Sequence, residues 1–161
     1  MAGGLDTALL RAARTRGHAP AVERAVARFS ALGEHGGVWL AACAAGAALD
    51  RRRRDRFARA GATVAAAYVA NQAIKVAVRR RRPRLDGLEP VVSTHSQLSY
   101  PSAHASTSFA GARALGELWP RPAVYAMALA LAASRPYLGV HYPSDSLAGA
   151  ALGTAVAELA R

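Results

Sequence analysis

The sequence predicts an all-α protein that forms a single domain over residues 1–161. Hydrophobic residues make up 52% of the chain and aromatic residues only 6%, so the apolar side chains are mostly those of Ala, Leu and Val, a composition that suits helices. Apolar positions recur three or four residues apart, which is the period of an amphipathic helix. No repeat or low-complexity linker divides the chain, and its length is that of one domain.

Residues 1–33 are expected to form two amphipathic helices with a break near residues 17–20. Apolar residues such as Leu5, Leu9 and Val26 stand at helical spacing, with arginines between them. The pattern suits helices that lie on a membrane surface, and it also suits a globular helix pair with a solvated basic face. Residues 34–161 are expected to form the core bundle.

About five longer helices are expected in this core. None of their apolar stretches reaches about 18 uncharged residues, so hydropathy alone leaves a membrane-spanning role open. In the last stretch Gly149 and Gly153 are four residues apart, which allows a neighbouring helix to approach closely. In the stretch over residues 101–119, Arg113 and Glu117 are spaced to form an ion pair. The stretches are 36–49, 57–78, 101–119, 123–133 and 147–159.

The second of these helices runs towards a cluster of arginines. If it continues through them, Lys75, Arg79 and Arg82 share a face at its carboxyl end, where the helix dipole favours cations, and Pro83 ends it. Residues 84–100 show no sustained period and are expected to form a loop at the rim of a site.

The chain is strongly basic, with a formal net charge of +11. Such a charge suits a nucleic-acid binder, an anionic membrane surface or a phosphate-bearing substrate, and composition does not choose among them. Of the 21 basic residues 20 are arginines, and the single lysine is Lys75. A compact ammonium kept at one position indicates a specific role there, with chance survival of one lysine codon as the alternative.

Residues 134–145 bring three chemically useful side chains close together. His141 and Asp145 are four residues apart, so they can meet if a helix begins near residue 144. A carboxylate beside an imidazole fixes its tautomer and makes the other ring nitrogen a better base or nucleophile. Arg135 adds a planar fork of donors that suits phosphate oxygens.

Two more stretches complete a pattern with this one. The first reads Lys, six residues, Arg-Pro; the second reads Pro-Ser-Ala-His; the third reads Ser-Arg, five residues, His, three residues, Asp. In order and internal spacing the chain resembles the type 2 phosphatidic acid phosphatase (lipid phosphate phosphatase) superfamily, as a short bacterial membrane member. Ala103 departs from that pattern, because Gly is usual there; its methyl group is expected to narrow the phosphate pocket or to require a negative φ. The matching positions are Lys75, Arg82, Pro83, Pro101, Ser102, His104, Ser134, Arg135, His141 and Asp145.

The resemblance implies a metal-independent phosphatase that works through a phosphohistidine and needs no cofactor. His141, oriented by Asp145, is expected to attack phosphorus. His104 is expected to protonate the leaving group and then to activate water. Residues 79–81 are expected only at the rim of the site or in contact with headgroups. The phosphate-binding groups are expected to be Lys75, Arg82, Ser102, Ala103 and Arg135.

The resemblance also implies a multi-pass helical bundle in the inner membrane, with the active site at one end. The substrate is expected to be a lipid or polyprenyl phosphate: polyprenyl diphosphate, decaprenylphosphoryl phosphoribose, phosphatidylglycerophosphate or phosphatidate. One alternative is a soluble relative, either an acid phosphatase or a vanadate-dependent haloperoxidase. A non-enzymatic protein that binds a membrane or nucleic acid is the other alternative, and it leaves three spaced motifs to coincidence, so no nucleic-acid partner is expected.

The site is expected to face outward from the membrane, although both ends of the bundle are basic and the total charge does not choose between them. Many phosphatases of the family that the chain resembles recycle carriers on the outer leaflet. The arginine run 51–56 lies in a short connection at the end of the bundle away from the motifs, where the positive-inside rule works best. The motif end is also basic, but Lys75, Arg82 and Arg135 are needed there for phosphate.

Overall fold

The computed structural model describes residues 4–161, so the first three residues of the predicted amphipathic segment lie outside the described part. Seven α-helices and no strand are found in residues 4–161, which confirms the all-α prediction. Short 3₁₀ turns at Glu34–Gly36 and Arg51–Arg53 join some of the helices. The helices are α1 (Gly4–Thr15), α2 (Pro20–Ala31), α3 (Gly37–Leu49), α4 (Arg54–Val78), α5 (Ala103–Leu115), α6 (Arg121–Tyr137) and α7 (Pro143–Leu159).

The two amino-terminal helices pack on the outside of the bundle. α1 contacts α6 and α7, and α2 contacts α6. On α1, Leu10 and Arg14 are buried against the bundle, whereas Leu5 and Leu9 on another face are exposed. The predicted break between the two helices is present, because α2 begins at Pro20, whose fixed φ suits the first turn of a helix.

The five core helices are arranged around α5, which packs against α4, α6 and α7. A β-carbon placed on Gly149 would lie 2.5 Å from the carbonyl oxygen of Ser102, and one on Gly153 would lie 2.0 Å from that of Ser106. Only glycine at these two positions lets α7 rest directly on the backbone of α5, as the sequence predicts. Consecutive helices run in opposite directions, so α4 and α6 end where α5 and α7 begin.

The course of the chain after α4 differs from the prediction of one continuous helix. α4 ends at Val78 because Arg79 adopts the left-handed conformation, with φ 55°. Residues 80–82 are then extended and pair with residues 97–99. The prediction that Lys75, Arg79 and Arg82 share a helical face, with Pro83 as the helix end, is therefore wrong. Side chains alternate along an extended segment, so Arg80 and Arg82 point inward while Arg81 is exposed.

Several large apolar side chains of the core bundle lie on its surface. Among residues 4–161, no single helix combines the length and the apolar character that crossing a bilayer requires. The exposed side chains include Leu40, Leu49, Val69, Val76, Val78, Leu129, Leu147 and Leu159.

Candidate active site

Four helix ends meet around a cavity of about 180 Å³ at one end of the bundle. The cavity lies between the carboxyl ends of α4 and α6 and the amino end of α5, beside the turn that leads into α7. All of the predicted site residues except Ser102 and Asp145 line it, and these two are fully buried behind it. The three motifs, far apart in the chain, are thus brought to one place. The predicted residues in the lining are Lys75, Arg82, Ala103, His104, Arg135 and His141.

His141 and Asp145 face each other across the start of α7. His141 is only 2% exposed, and its Nδ1 atom lies 3.5 Å from Oδ2 of Asp145. The same carboxylate oxygen accepts a hydrogen bond from the backbone amide of Tyr142 at 2.9 Å, as part of a capping box. With Nδ1 directed at the carboxylate, Nε2 is the ring nitrogen left to react. Nε2 lies 3.1 Å from Nη1 of Arg82.

The surroundings of His141 keep its imidazole neutral. Burial lowers the pKa of His141 well below its ordinary value, and the cations Arg82, Arg135 and Lys75 lower it further. A neutral imidazole keeps the lone pair that an attack on phosphorus needs.

The three predicted phosphate-binding cations are held by neutral oxygen atoms. Arg82 donates from Nε to the carbonyl of Ser96 at 2.6 Å and from Nη1 to that of Val140 at 2.7 Å. Lys75 is 5% exposed, and its Nζ is 3.4 Å from the carbonyl of Leu98.

Arg135, which is 6% exposed, completes the set of cations. Its Nη1 donates to the Ser30 hydroxyl at 2.7 Å. Among residues 4–161, no carboxylate lies within ion-pair distance of Lys75, Arg82 or Arg135. Buried charge without a counter-ion is costly, and an anion in the cavity would offset that cost.

The amino end of α5 borders the same cavity. Ser102 is the N-cap residue, but its side chain makes no capping bond. Its Oγ is buried and has no hydrogen-bond partner within the described part of the chain. Ala103 is the first residue of α5 and has a negative φ, so the departure from Gly causes no backbone strain. The free amides of this first turn favour an anion.

His104 is connected to the amino-terminal region through Ser30. The Nε2 atom of His104 donates to the carbonyl oxygen of Ser30 at 3.0 Å, and Oε2 of Glu34 lies 3.8 Å away. The Ser30 hydroxyl also bonds to Ser134 at 2.9 Å. The sequence alone does not single out Ser30; the available signal is that a polar residue follows Val26 by four on the apolar face of α2.

Arg80 is a second residue that sequence reasoning missed, since it was expected only at the rim. Its Nη1 donates to Oδ1 of Asp145 at 2.8 Å and to the Ser144 hydroxyl at 2.7 Å. Its Nη2 donates to Oδ2 of Asp6 at 2.7 Å, and its guanidinium lies 4.2 Å from the centre of the Tyr142 ring. Within a run of arginines, no sequence signal distinguishes this one.

The mouth of the cavity is lined by polar side chains. His35 and His95, to which the sequence assigns no role, both lie there. Nδ1 of His35 is hydrogen-bonded to the Tyr68 hydroxyl at 2.9 Å. The remaining mouth residues come from the 3₁₀ turn, α4 and the 84–100 loop, and they are Glu34, Gln72, Ser93, Thr94 and Ser96.

A buried, cation-lined cavity with a neutral imidazole in its wall is an arrangement suited to phosphoryl transfer. The family model of the PAP2 superfamily matches residues 56–161, which is more than half of the chain. This chain belongs to the PAP2 superfamily and is a lipid phosphatase.

Two curated relatives carry the same printed name, decaprenylphosphoryl-5-phosphoribose phosphatase. The protein from Mycobacterium tuberculosis is 43% identical over 129 residues, which cover 80% of this chain and 72% of the relative. The protein from Mycolicibacterium smegmatis is 36% identical over 146 residues, which cover 91% of this chain and 81% of the relative.

Two solved structures have the same fold. LpxE from Aquifex aeolicus aligns with a TM-score of 0.84 over 97% of this chain and 94% of that chain, at 20% identity. A transmembrane PAP2 type phosphatidylglycerolphosphate phosphatase from Bacillus subtilis aligns with a TM-score of 0.77 over 97% of this chain and 82% of that chain, at 25% identity.

Proposed function

We propose that this chain removes the 5-phosphate of decaprenylphosphoryl-5-phosphoribose, leaving the ribose 5-hydroxyl and inorganic phosphate. The observation that carries this proposal is the 43% identity to a relative with that printed activity, over most of both chains. The polar mouth of the cavity supports it. A ribose presents hydroxyl groups on the leaving side of the phosphate, and the side chains of His35, Tyr68 and His95 supply donors and acceptors for them.

The reaction begins with an attack on phosphorus by Nε2 of His141. As the N–P bond forms, the bond from phosphorus to the ribose oxygen breaks, and that oxygen takes a proton from His104. Asp145, whose Oδ2 lies 3.5 Å from Nδ1, stabilises the positive charge that develops on the ring. Water then attacks phosphorus while His104 takes a proton from it; the N–P bond breaks, phosphate leaves and His141 is free again.

The cations act on the non-bridging oxygens of the phosphate throughout both steps. Lys75, Arg82 and Arg135 lack carboxylate partners among residues 4–161, so their charge is free to stabilise the transition state. Arg82 is best placed to direct the phosphate, because its Nη1 is already 3.1 Å from the attacking nitrogen. The Ser102 hydroxyl and the amide of Ala103 add donors from the start of α5. Three cations supply the charge neutralisation that Mg²⁺ supplies in other phosphoryl-transfer enzymes.

A phosphate-release panel tests the substrate. The purified protein is assayed in detergent against decaprenylphosphoryl phosphoribose, undecaprenyl diphosphate, phosphatidylglycerophosphate and phosphatidate. We expect the highest kcat/KM for the phosphoribose lipid, and we expect EDTA to leave the rate unchanged. A clear preference for phosphatidate would overturn the substrate assignment while leaving the phosphatase activity in place.

The role of His104 is tested by the leaving group. We expect His104→Ala to lose turnover of the phosphoribose lipid, whose alkoxide needs a proton. With an aryl phosphate, which has a good leaving group, the same variant still forms an acid-labile phosphoenzyme. Loss of phosphoenzyme formation with the aryl substrate would show that His104 does not act as the acid.

We further propose that α3 to α7 form a multi-pass bundle in the inner membrane. The exposed apolar side chains of the core bundle support this, since they would face lipid. The test is extraction from a membrane fraction: we expect release by detergent and not by 1 M salt. Release by salt alone would indicate a peripheral protein held by its charge.

The cavity is proposed to open towards the outer face of that membrane. Cysteine labelling in intact cells tests this, in a background where the buried Cys43 is replaced by Ala. We expect an impermeant maleimide to label Asp86→Cys in the exposed 84–100 loop, and to label the matched Arg52→Cys at the opposite end only after lysis. The reverse pattern would place the site on the cytoplasmic side.

A further inference from the structure

Both carboxylate oxygens of Asp145 are fixed by neighbouring groups, and one of these groups belongs to a residue outside the predicted site. Oδ2 receives the Tyr142 amide and faces the imidazole of His141, while Oδ1 receives Nη1 of Arg80. A carboxylate with a fixed donor at each oxygen cannot rotate, so its direction towards His141 is set by Arg80 as well as by α7.

Arg80 in turn is held by α1. Its Nη2 donates to Oδ2 of Asp6 at 2.7 Å. Oδ1 of Asp6 accepts from the backbone amide of Ser144 at 3.0 Å, and the Ser144 hydroxyl also donates to Asp6. Burial alone would raise the pKa of Asp6, but the hydrogen bonds from Ser144 and Arg80 outweigh it and hold the pKa below its ordinary value. Asp6 is therefore a carboxylate that binds both Arg80 and the first turn of α7.

α1 is itself anchored at two further points, so Asp6 is not on a loose segment. Leu10 is fully buried, and Arg14 is 7% exposed. Arg14 donates to the carbonyl of Glu89 at 2.9 Å and to that of Tyr137 at 3.1 Å. These bonds connect α1 to the 84–100 loop and to the end of α6, both of which border the site.

Holding Asp145 in one direction also affects the cations proposed to bind the phosphate. Asp145 is the one carboxylate adjacent to His141 among the described residues, and Lys75, Arg82 and Arg135 line the same cavity. A carboxylate free to turn would pair with one of these cations and withdraw it from the phosphate. Arg80 satisfies Oδ1 from the side away from the cavity, and so keeps Asp145 directed at the imidazole.

We propose that Arg80 and Asp6 are positioning residues for catalysis: together they hold the carboxylate of Asp145 towards His141, so that helix α1 completes the active site. This inference rests on the proposed role of His141 as nucleophile. It does not depend on which lipid carries the phosphate. We call Arg80 and Asp6 together the Asp145 clamp. Because this clamp acts on the attacking imidazole and not on the bound phosphate, its loss is expected to lower kcat and to leave KM nearly unchanged.

The experiment compares variants of Arg80, Asp6 and Arg81 in the full chain, on the lipid substrate that gives the highest turnover. Arg81 is the matched control, because it stands in the same arginine run, is exposed, and makes no side-chain hydrogen bond or ion pair within residues 4–161. We expect Arg80→Gln to lower kcat roughly 10- to 100-fold, with KM changed less than about 2-fold. We expect Asp6→Asn to lower kcat less, Arg80→Lys and Asp6→Glu to recover part of the loss, and Arg81→Gln to keep the wild-type kcat.

A double variant shows whether Asp6 and Arg80 act together on kcat or lower it independently. If Asp6 acts through Arg80, Asp6→Asn combined with Arg80→Gln has the kcat of Arg80→Gln alone, whereas a product of the two losses would overturn the proposal. Wild-type kcat in Arg80→Gln, or a change in KM alone, would also overturn it. If Arg80→Gln fails to fold, Asp6→Asn against Asp6→Glu carries the same test, and equal kcat in these two variants and the wild type contradicts the clamp. Loss of turnover in His141→Ala, measured in parallel, reports separately on the proposed function.

Discussion

The two ends of the bundle are both rich in arginine, yet they differ in what the arginines contact. At the end away from the motifs, a cavity of about 510 Å³ is lined by Arg56, Arg59, Arg113 and Arg161. Several of these arginines form ion pairs with carboxylates: Arg113 donates to Glu158 at 2.5 Å, and Arg161 donates to Glu117 at 2.7 Å. At the motif end the cavity is smaller, about 180 Å³, and within the described residues the polar contacts of Lys75, Arg82 and Arg135 are with neutral groups only.

The difference shows that neither the number of charges nor the size of a cavity marks the site. Arg56 and Arg161 at the far end are about half exposed, so each of their ion pairs contributes little to stability, and Arg113 is paired with two carboxylates. Buried cations without a counter-ion at the motif end are costly to the fold, and a phosphate group offsets that cost.

The largest effect is expected at the nucleophile. His141→Ala removes the nitrogen proposed to attack phosphorus, so kcat should fall by at least about 10³-fold, and no acid-labile phosphoenzyme should form. Phosphate release and trapping of labelled phosphoenzyme measure the two effects. Full activity in this variant would end the assignment of the motif end as the active site.

The next prediction sets one arginine of each end against the other. Arg135→Gln removes a buried cation from the phosphate cavity, and we expect kcat/KM to fall about 10²-fold. Arg161→Gln removes a half-exposed, paired arginine at the far end, and we expect kcat/KM within about 2-fold of wild type. Equal losses would show that the charge of the whole chain, and not its position, drives catalysis.

Lys75 tests whether the shape of a cation matters at the motif end. Lys75→Arg keeps the charge but places a planar fork where a compact ammonium is 5% exposed, and we expect kcat/KM to fall roughly 10-fold. The matched exchange Arg59→Lys at the far end should be silent. Wild-type kinetics for Lys75→Arg would make the single lysine of the chain a matter of chance.

The contact between α5 and α7 links the two ends, and its tolerance is measurable. Gly149→Ala would drive a methyl group to 2.5 Å from the Ser102 carbonyl, so α7 must shift, at a cost of about 1–3 kcal/mol in the free energy of unfolding. Gly61→Ala is the control, since its methyl group would lie at an ordinary 3.4 Å from Cys43. Thermal unfolding in detergent compares the two, and equal Tm values would argue against the close approach.

The smallest expected effect is an absence of titration. Burial and the cations Arg82, Arg135 and Lys75 lower the pKa of His141, so its ring should stay neutral as the pH falls through about 6.5, where an unperturbed imidazole gains a proton. The unfolded chain gains that proton, so the stability contributed by His141 is present above about pH 6.5 and declines below it. The ¹⁵N chemical shifts of the His141 ring between pH 8 and 6 measure this. A titration near pH 6.5 would mean that the cations do not face the ring.

The helical class and the residue types at the candidate site could be predicted from the sequence. Composition and period suffice for the helices, because both are local properties of the chain. The spacing of His141 and Asp145 also suffices to pair them, because two side chains four residues apart at the start of a helix lie close together. The roles of Lys75, Ser102 and Arg135 were predicted from the resemblance of three short motifs to the superfamily pattern.

The residues outside the motifs that contact the motif residues could be identified only from the packing of the helices. A turn at Arg79 makes the next residues extended, and this alternation, not the arginine run itself, selects Arg80 to reach Asp145. Ser30 and Asp6 belong to helices that the sequence describes as surface elements, yet they bond to groups at least 74 residues away in the chain. Such contacts depend on how helices pack, and packing joins residues whose distance in sequence carries no signal of their distance in space.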